Sequence, residues 1–224
     1  MRRGLFAQGP SRCSLASLRE GPSWCPEALL VKIVGTDVLG VERGLLAGEL
    51  ACPDCGGRLV PWGSARWRVV RRGGGDERRR PRRSRCSGCA RTHVLVCDDT
   101  LLRRRDSVEV IGAALVAKAR GVGHRQAAAL VGVPVSTVRG WLRRFAQSAE
   151  AIRVWFTVLA HDLDPMLAPV APTETRVGDA VEAVGVAARA ASLRLGSVEP
   201  WRFASAASRG RLISNTGWPW APPR

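Results

Sequence analysis

Four of the seven cysteines fall in two pairs. Cys52-Pro53-Asp54-Cys55 runs into Gly56-Gly57, and Cys86-Ser87-Gly88-Cys89 follows thirty residues later. Two residues between thiols let both sulfurs reach one metal ion, and small residues behind the second thiol permit a turn whose amides face sulfur. Two such pairs complete a tetrahedral four-cysteine site for Zn²⁺. A closed four-sulfur site leaves no position for water, so the expected zinc is structural, not catalytic. The competing reading is a redox dithiol. That needs a single Cys-x-x-Cys at a strand–helix junction of a βαβ unit, and neither pair has one. His93 and Cys97 stand close behind Cys89 as reserve ligands. Cys13 and Cys25 read as unpaired surface thiols.

The second constellation is His124-Arg125-Gln126-Ala127-Ala128-Ala129-Leu130-Val131-Gly132-Val133-Pro134-Val135-Ser136-Thr137-Val138-Arg139-Gly140-Trp141-Leu142-Arg143-Arg144-Phe145. Ala127 and Ala128 are small enough for two helices to cross, and Gly132 tolerates the positive φ of a tight turn. Val133, Val138 and Trp141, backed by Leu130, Val131, Leu142 and Phe145, supply the buried positions of a helix-turn-helix. Pro134 suits the start of a helix. The second helix, about 134–146, would lie in the major groove with Val135, Ser136, Arg139, Gly140 and Arg143 outward. Arg139 and Arg143, four apart, share one face. Arginine is the usual reader of guanine O6 and N7, and Ser136 has the reach for a base or a phosphate. Arg125 and Arg144 are expected on phosphates. An ordinary three-helix bundle with a solvated basic face is the bland alternative.

Between the cysteine pairs stand Arg78, Arg79, Arg80, Arg82 and Arg83, with Arg66, Arg68, Arg71, Arg72 and Arg85 around them. The functional reading is backbone contact with nucleic acid, which gives salt-dependent affinity without sequence choice. Trp62 and Trp67 interleave with these arginines. They have the chemistry to stack on unpaired bases, but packing on the small ribbon is the favoured reading.

The elements that must position these groups follow from composition and period. The 224 residues carry 35 basic and 19 acidic groups, a net charge of +16, with 46% hydrophobic residues. Such a charge points to a polyanion, nucleic acid before a membrane surface. Only Lys32 and Lys118 are lysines, so part of the excess reflects biased usage. Its placement is uneven: residues 58–105 hold net +11 and 106–155 net +4, while 1–57 are neutral and 156–224 hold +1. No apolar run approaches the ~20 residues of a membrane span, and the start lacks the apolar stretch of a signal peptide. A cytoplasmic, nucleoid-associated protein is expected.

The expected fold class is mostly α with a small β zinc ribbon and a three-helix helix-turn-helix domain. Residues 1–26 read as a flexible tail, and 27–50 as a helix with Thr36 or Asp37 as its cap and Gly48 at its end. Residues 51–97 read as the ribbon, with short strands at 58–62, 67–72 and 92–96 and a mobile Arg-rich loop at 71–83. Residues 106–147 form the helix-turn-helix domain, opened by Asp106 and Glu109 as a capping box. Then come a linker (161–175), an Ala-rich helix (176–195) and an irregular tail (196–224).

The Cys-Pro-x-Cys-Gly-Gly knuckle, the second pair ending in Arg91-Thr92-His93-Val94-Leu95, and the closing Trp141-Leu142-Arg143-Arg144-Phe145 resemble transposase-associated zinc-ribbon/helix-turn-helix proteins. They are similar to the N-terminal regions of insertion-sequence transposases and to small actinobacterial proteins. The resemblance covers about residues 36–147. It implies binding of double-stranded DNA at an element end or operator, with a separate catalytic subunit or a second copy of the chain as partner. Transposases continue into a catalytic domain with three acidic metal ligands. Here only Asp162, Asp164, Glu174, Asp179, Glu182 and Glu199 follow residue 150, in one helix and proline-rich segments. That is too little for an RNase H-like sheet. His93, His124 and His161 form no catalytic motif, and Gly73–Gly75 lacks the Lys of a phosphate loop. The expectation is therefore a non-enzymatic accessory or regulator of transposition. The alternatives are the DNA-binding remnant of a split transposase, a regulator outside transposition, and a ribbon docking on another protein such as polymerase.

Overall fold

The β-branched run Val31–Val34 forms strand β1 of the computed structural model, which describes residues 31–214. The tail read at 1–26, with Cys13 and Cys25, lies outside the described residues, as do Trp218 and Trp220. The helix expected at 27–50 is shorter than its reading. Gly35 follows β1, and α1 (Val38–Ala47) begins only where Asp37 accepts a hydrogen bond from the Gly40 amide. Gly48, at φ 74°, closes it by donating to the Gly44 and Leu45 carbonyls. A Val-Lys-Ile-Val stretch suits a pleated surface better than a helix.

Strands β2 (Leu59–Ser64), β3 (Arg68–Arg72), β4 (Gly75–Arg79), β5 (Arg82–Cys86) and β6 (Thr92–Cys97) follow. The sheet order is β1-β6-β5-β2, with β1 parallel to β6 and the other pairings antiparallel; β3 and β4 pair as a separate hairpin. The ribbon therefore recruits β1 from outside residues 51–97. The segment read as a mobile Arg-rich loop is this hairpin, turning at Gly73 and Gly74. Its arginines are not left to repel one another, because acidic side chains sit among them, as described below.

The helical body holds most of the buried apolar mass. It comprises α2 (Val108–Ala119), α3 (His124–Val131), α4 (Val135–Leu163), α5 (Arg176–Leu195) and α6 (Pro200–Ala207). Ser107, not Asp106, caps α2 by accepting from the Val110 amide. Asp106 is buried and engaged elsewhere, so the expected capping box is displaced by one residue. The second helix of the helix-turn-helix does not stop at 146. Val138, Trp141, Phe145, Ala149, Ile152, Phe156, Ala160 and Leu163 recur at three- and four-residue steps and are all buried, so one apolar stripe carries α4 for 29 residues. Against it lies α5, whose Ala180, Ala183, Ala187 and Ala191 are fully buried. Their methyl side chains let the two helix backbones approach closely.

The segment from Asp164 to Thr175 forms neither helix nor strand. Residues 196–214, read as irregular, instead close the body. Glu199 caps α6 through the Arg202 amide, Pro200 occupies its first turn, and Phe203, Leu212 and Ile213 are buried. An eight-residue helix leaves too short a periodic trace to stand out among prolines and glycines. Trp201 of α6 lies directly over Gly112 of α2, where a Cβ would overlap the indole ring. Gly112→Ala gains about 1 kcal/mol of helix propensity. The overlap costs about 1–3 kcal/mol, so a net loss of stability is expected in urea denaturation. An unchanged or raised midpoint would show that Trp201 yields freely.

Two apolar clusters result. The larger joins α2–α6; the smaller has Leu45, Cys52, Leu59, Cys86 and Leu95 as its buried members.

Candidate metal centre and nucleic-acid interface

The metal centre is built by two turns brought together at one end of the ribbon. The first follows α1, and the Cys52 amide donates to the Gly57 carbonyl. The second links β5 to β6, and the Cys86 amide donates to the Arg91 carbonyl. Cys52, Cys55, Cys86 and Cys89 place their sulfurs within 4.8 Å of one another. Cys52 and Cys89 Sγ are 3.8 Å apart, and Cys55 and Cys86 Sγ 3.4 Å. A tetrahedron with metal–sulfur bonds of 2.3 Å has edges of about 3.8 Å, so the set fits a zinc ion. These separations are far beyond a disulfide bond.

The surrounding backbone is shaped for sulfur. The Asp54 amide faces Cys52 Sγ at 3.4 Å, and the Gly88 and Cys89 amides face Cys86 Sγ at 3.3 and 3.4 Å. A Cβ on Gly57 would stand 3.1 Å from Cys86 Sγ, which explains a glycine behind the first pair. Burial pushes the Cys52 thiol up to about 12, whereas the Cys89 amide, with help from that of Gly88, holds Cys86 down to about 6. Thiols so close cannot all ionise without a cation between them.

Of the two reserve ligands, the structure brings in one. His93 is fully buried, its Nε2 3.3 Å from Cys52 Sγ and 3.9 Å from Asp54 Oδ2. With Cys52 as thiolate, Nε2–H donates to it, a role that fixes a ligand from behind. Cys97 lies outside the cluster. It lines a groove of about 400 Å³ between the hairpin and α1, and burial pushes its thiol up.

The second candidate site is the α3–turn–α4 unit. Ala127 and Ala128 are buried where the helices cross, and Gly132 takes φ 65° with its N–H donating to the Ala128 and Ala129 carbonyls. Val138, Trp141, Leu142 and Phe145 are buried, and Val131 and Val133 pack at the margin. Leu130, expected in the core, is 68% exposed, because it follows Ala129 on the outer side of α3. Pro134 directly precedes the first turn of α4.

Along α4, Val135, Ser136, Arg139 and Arg143 are exposed, as is Arg125 on α3; Gly140 is half-buried. No acidic side chain pairs with Arg125, Arg139 or Arg143 among the described residues. Arg144, expected on a phosphate, is half-buried and donates to the Gly140 carbonyl at 3.0 Å. Its guanidinium occupies the space above Gly140, where any Cβ would stand 3.0 Å from Nη1.

The arginines between the cysteine pairs divide into two sets. Arg79 donates to both Glu77 and buried Asp99, and Arg72 does the same from β3. Arg71 holds buried Asp106 at 3.0 Å, just before α2. Arg82 grips both carboxylate oxygens of Glu42 on α1 at 2.8 Å. Donation from Arg79, then from Arg72, holds the Glu77 carboxyl below its usual range. Arg79 and Arg82, expected on phosphates, are therefore structural clamps. Their partners Asp99 and Glu42 lie twenty and forty residues away, which adjacent charge counting does not reveal. Arg78, Arg80 and Arg83 stay exposed. Among the described residues Arg80 hydrogen-bonds to the Ala65 carbonyl, at 3.4 Å, and Arg83 to the Thr92 hydroxyl, at 3.5 Å. Trp62 and Trp67 pack on the ribbon and its hairpin by one side only, against Arg85 and Arg78, and remain 51% and 57% exposed.

No helix among the described residues is long and apolar enough to cross a membrane. Neither a curated protein nor a solved structure matches the chain. Residues 105–152 match the family model of a homeodomain-like domain, so α2, α3 and the first half of α4 form a helix-turn-helix of a DNA-binding kind.

Proposed function

We propose that the chain is a sequence-specific, non-enzymatic protein of double-stranded DNA, acting as an accessory or regulator in transposition. The observation that carries the reading is the outward face of α4. Ser136, Arg139 and Arg143 stand exposed at groove-reading spacing, with no acid to occupy the guanidinium groups among the described residues. Direct readout needs such free forks, because Arg bonds guanine O6 and N7 with two N–H groups at once.

Two further features support it. The clamped arginines Arg71, Arg72 and Arg79 tie the hairpin to the start of α2 and to Asp99. That turns the exposed Arg78, Arg80 and Arg83 into a fixed basic flank for phosphates rather than a loose tail. Four of the six acids after residue 150 are also engaged locally. Asp164 accepts from the Met166 amide, Asp179 from Thr173, and Glu199 caps α6, while Glu182 pairs with Arg189 at 2.8 Å. Cys52, Cys55, Cys86 and Cys89 would hold a structural zinc ion, which supplies the cross-link of the ribbon. The transposition context rests on the resemblance of the knuckle and of the Trp-Leu-Arg-Arg-Phe ending.

Selecting bound duplexes from a random pool tests the reading. A defined motif is expected, and Arg139→Ala should weaken binding to it by about 5- to 150-fold and relax choice at one base pair. Equal affinity and equal ranking of mutant sites by the variant would overturn it.

A further inference from the structure

Strand register sorts the ribbon sheet into two faces. Leu59 pairs with Cys86, Val60 with Arg85, Arg85 with Thr92, and Arg83 with Val94. Paired residues point the same way and successive residues alternate. Leu59, Cys86 and Ser84 therefore face α1 and the metal centre, and all are buried. Val60, Arg83, Arg85, Thr92 and Val94 share the opposite face.

Trp62 joins this second face at the irregular end of β2. Its ring lies 4.8 Å from the Arg85 guanidinium, measured to the ring centroid. A similar unit stands on the hairpin, with Arg78 5.2 Å from the Trp67 centroid. In each, a guanidinium covers one side of an indole while more than half of the tryptophan remains in water. The two units do not share one surface: Trp67 and Arg78 line the groove on the α1 side with Val38, Val41 and Leu95, whereas Trp62 and Arg85 stand on the opposite face.

The surrounding charge selects what fits them. Arg78, Arg80, Arg83 and Arg85 have no acidic partner among the described residues, whereas Asp54, Glu42, Glu77 and Asp99 are already held by other arginines. Asp76, exposed on β4, has no arginine partner among the described residues, but the four guanidinium groups outnumber it and the field here is net positive. Flat π-faces beside a basic track suit a ligand that is itself flat, stacked and anionic.

We infer that Trp62 with Arg85, on the sheet face opposite α1, forms a stacking platform for unpaired nucleotides. This site is distinct from α4 and goes beyond duplex recognition. Arg83, on the same face, neutralises a phosphate beside the stacked base, and the ring takes base faces without sequence choice.

The test uses the full chain purified with its metal. Its probes are an oligo-dT strand of about 12 nucleotides and a blunt duplex carrying the selected site. The parent should bind the strand. Trp62→Ala and Arg85→Ala should each weaken it about fivefold or more, Trp62→Phe should keep most of the affinity, and neither alanine variant should change duplex binding. Arg139→Ala should leave strand binding intact, so failure of the helix-turn-helix reading shows separately, on the duplex. Absence of strand binding by the parent, or equal affinity of Trp62→Ala, would overturn the platform. So would polyglutamate displacing the strand as well as unlabelled oligo-dT, since that would mark a site for acidic peptides. Unchanged metal content in each variant confirms an intact ribbon.

Discussion

Cys52→Ser, or stripping of bound metal by a chelator, is expected to unfold the ribbon and leave the helical body standing. The small cluster has five buried members, and two of them are the ligands Cys52 and Cys86. Such a core cannot offset the ordering of roughly forty residues. A structural zinc contributes ~10–16 kcal/mol to modules of this kind. By contrast, the helical cluster has its own aromatic centre in Trp141, Phe145, Phe156 and Phe203, none of which touches the metal site. Amide exchange read segment by segment should show β2, β5 and β6 losing protection while α2–α5 keep theirs. Equal protection of the ribbon with and without metal would refute the zinc assignment. Loss of protection throughout would refute the independence of the two clusters.

Asp99→Ala is the second large effect. Asp99 is 1% exposed, and its two oxygens receive Arg72 and Arg79 from opposite strands of the hairpin. Removing a buried acid strands two guanidinium groups whose desolvation it had offset, at a cost of about 3–5 kcal/mol. Glu77 relieves part of this, since it also faces both arginines, so the lower end is expected in urea denaturation. A loss below ~1 kcal/mol would show that Asp99 is dispensable. Removing exposed Arg78 or Arg80 should leave the midpoint nearly unchanged.

This contrast marks where the sequence is legible and where it is not. The cysteine pairs could be read because their chemistry depends on spacing alone. The turn at Gly132 could be read because αL geometry, small crossing residues and apolar steps all fall within one short segment. The roles of Arg79 and Arg82 could not, since their acids come from β6's end and from α1. The full length of α4 was legible in principle: Ala149, Ile152, Phe156 and Ala160 continue the stripe of Phe145. The expected end at 146 follows the close of the helix-turn-helix motif at Phe145, not any break in that stripe. Asp106 illustrates a different limit. Its position suits a helix cap, but burial against Arg71 claims the side chain, and the cap passes to Ser107. His93 was visible as a spare ligand; that it sits behind Cys52 follows only from the pairing of β5 with β6.

The uninterrupted run of α4 has a mechanical consequence. From Arg139 to Leu163 the backbone spans about 36 Å at 1.5 Å per residue, with no joint along the way. A tilt of about 1° at the far end displaces the reading arginine by about 0.6 Å, and about 5° by about 3 Å. Base-edge bonding tolerates little of that. Whatever grips the α4–α5 end is thus holding the long arm of a lever, and a small rotation there is enough to engage or release the groove.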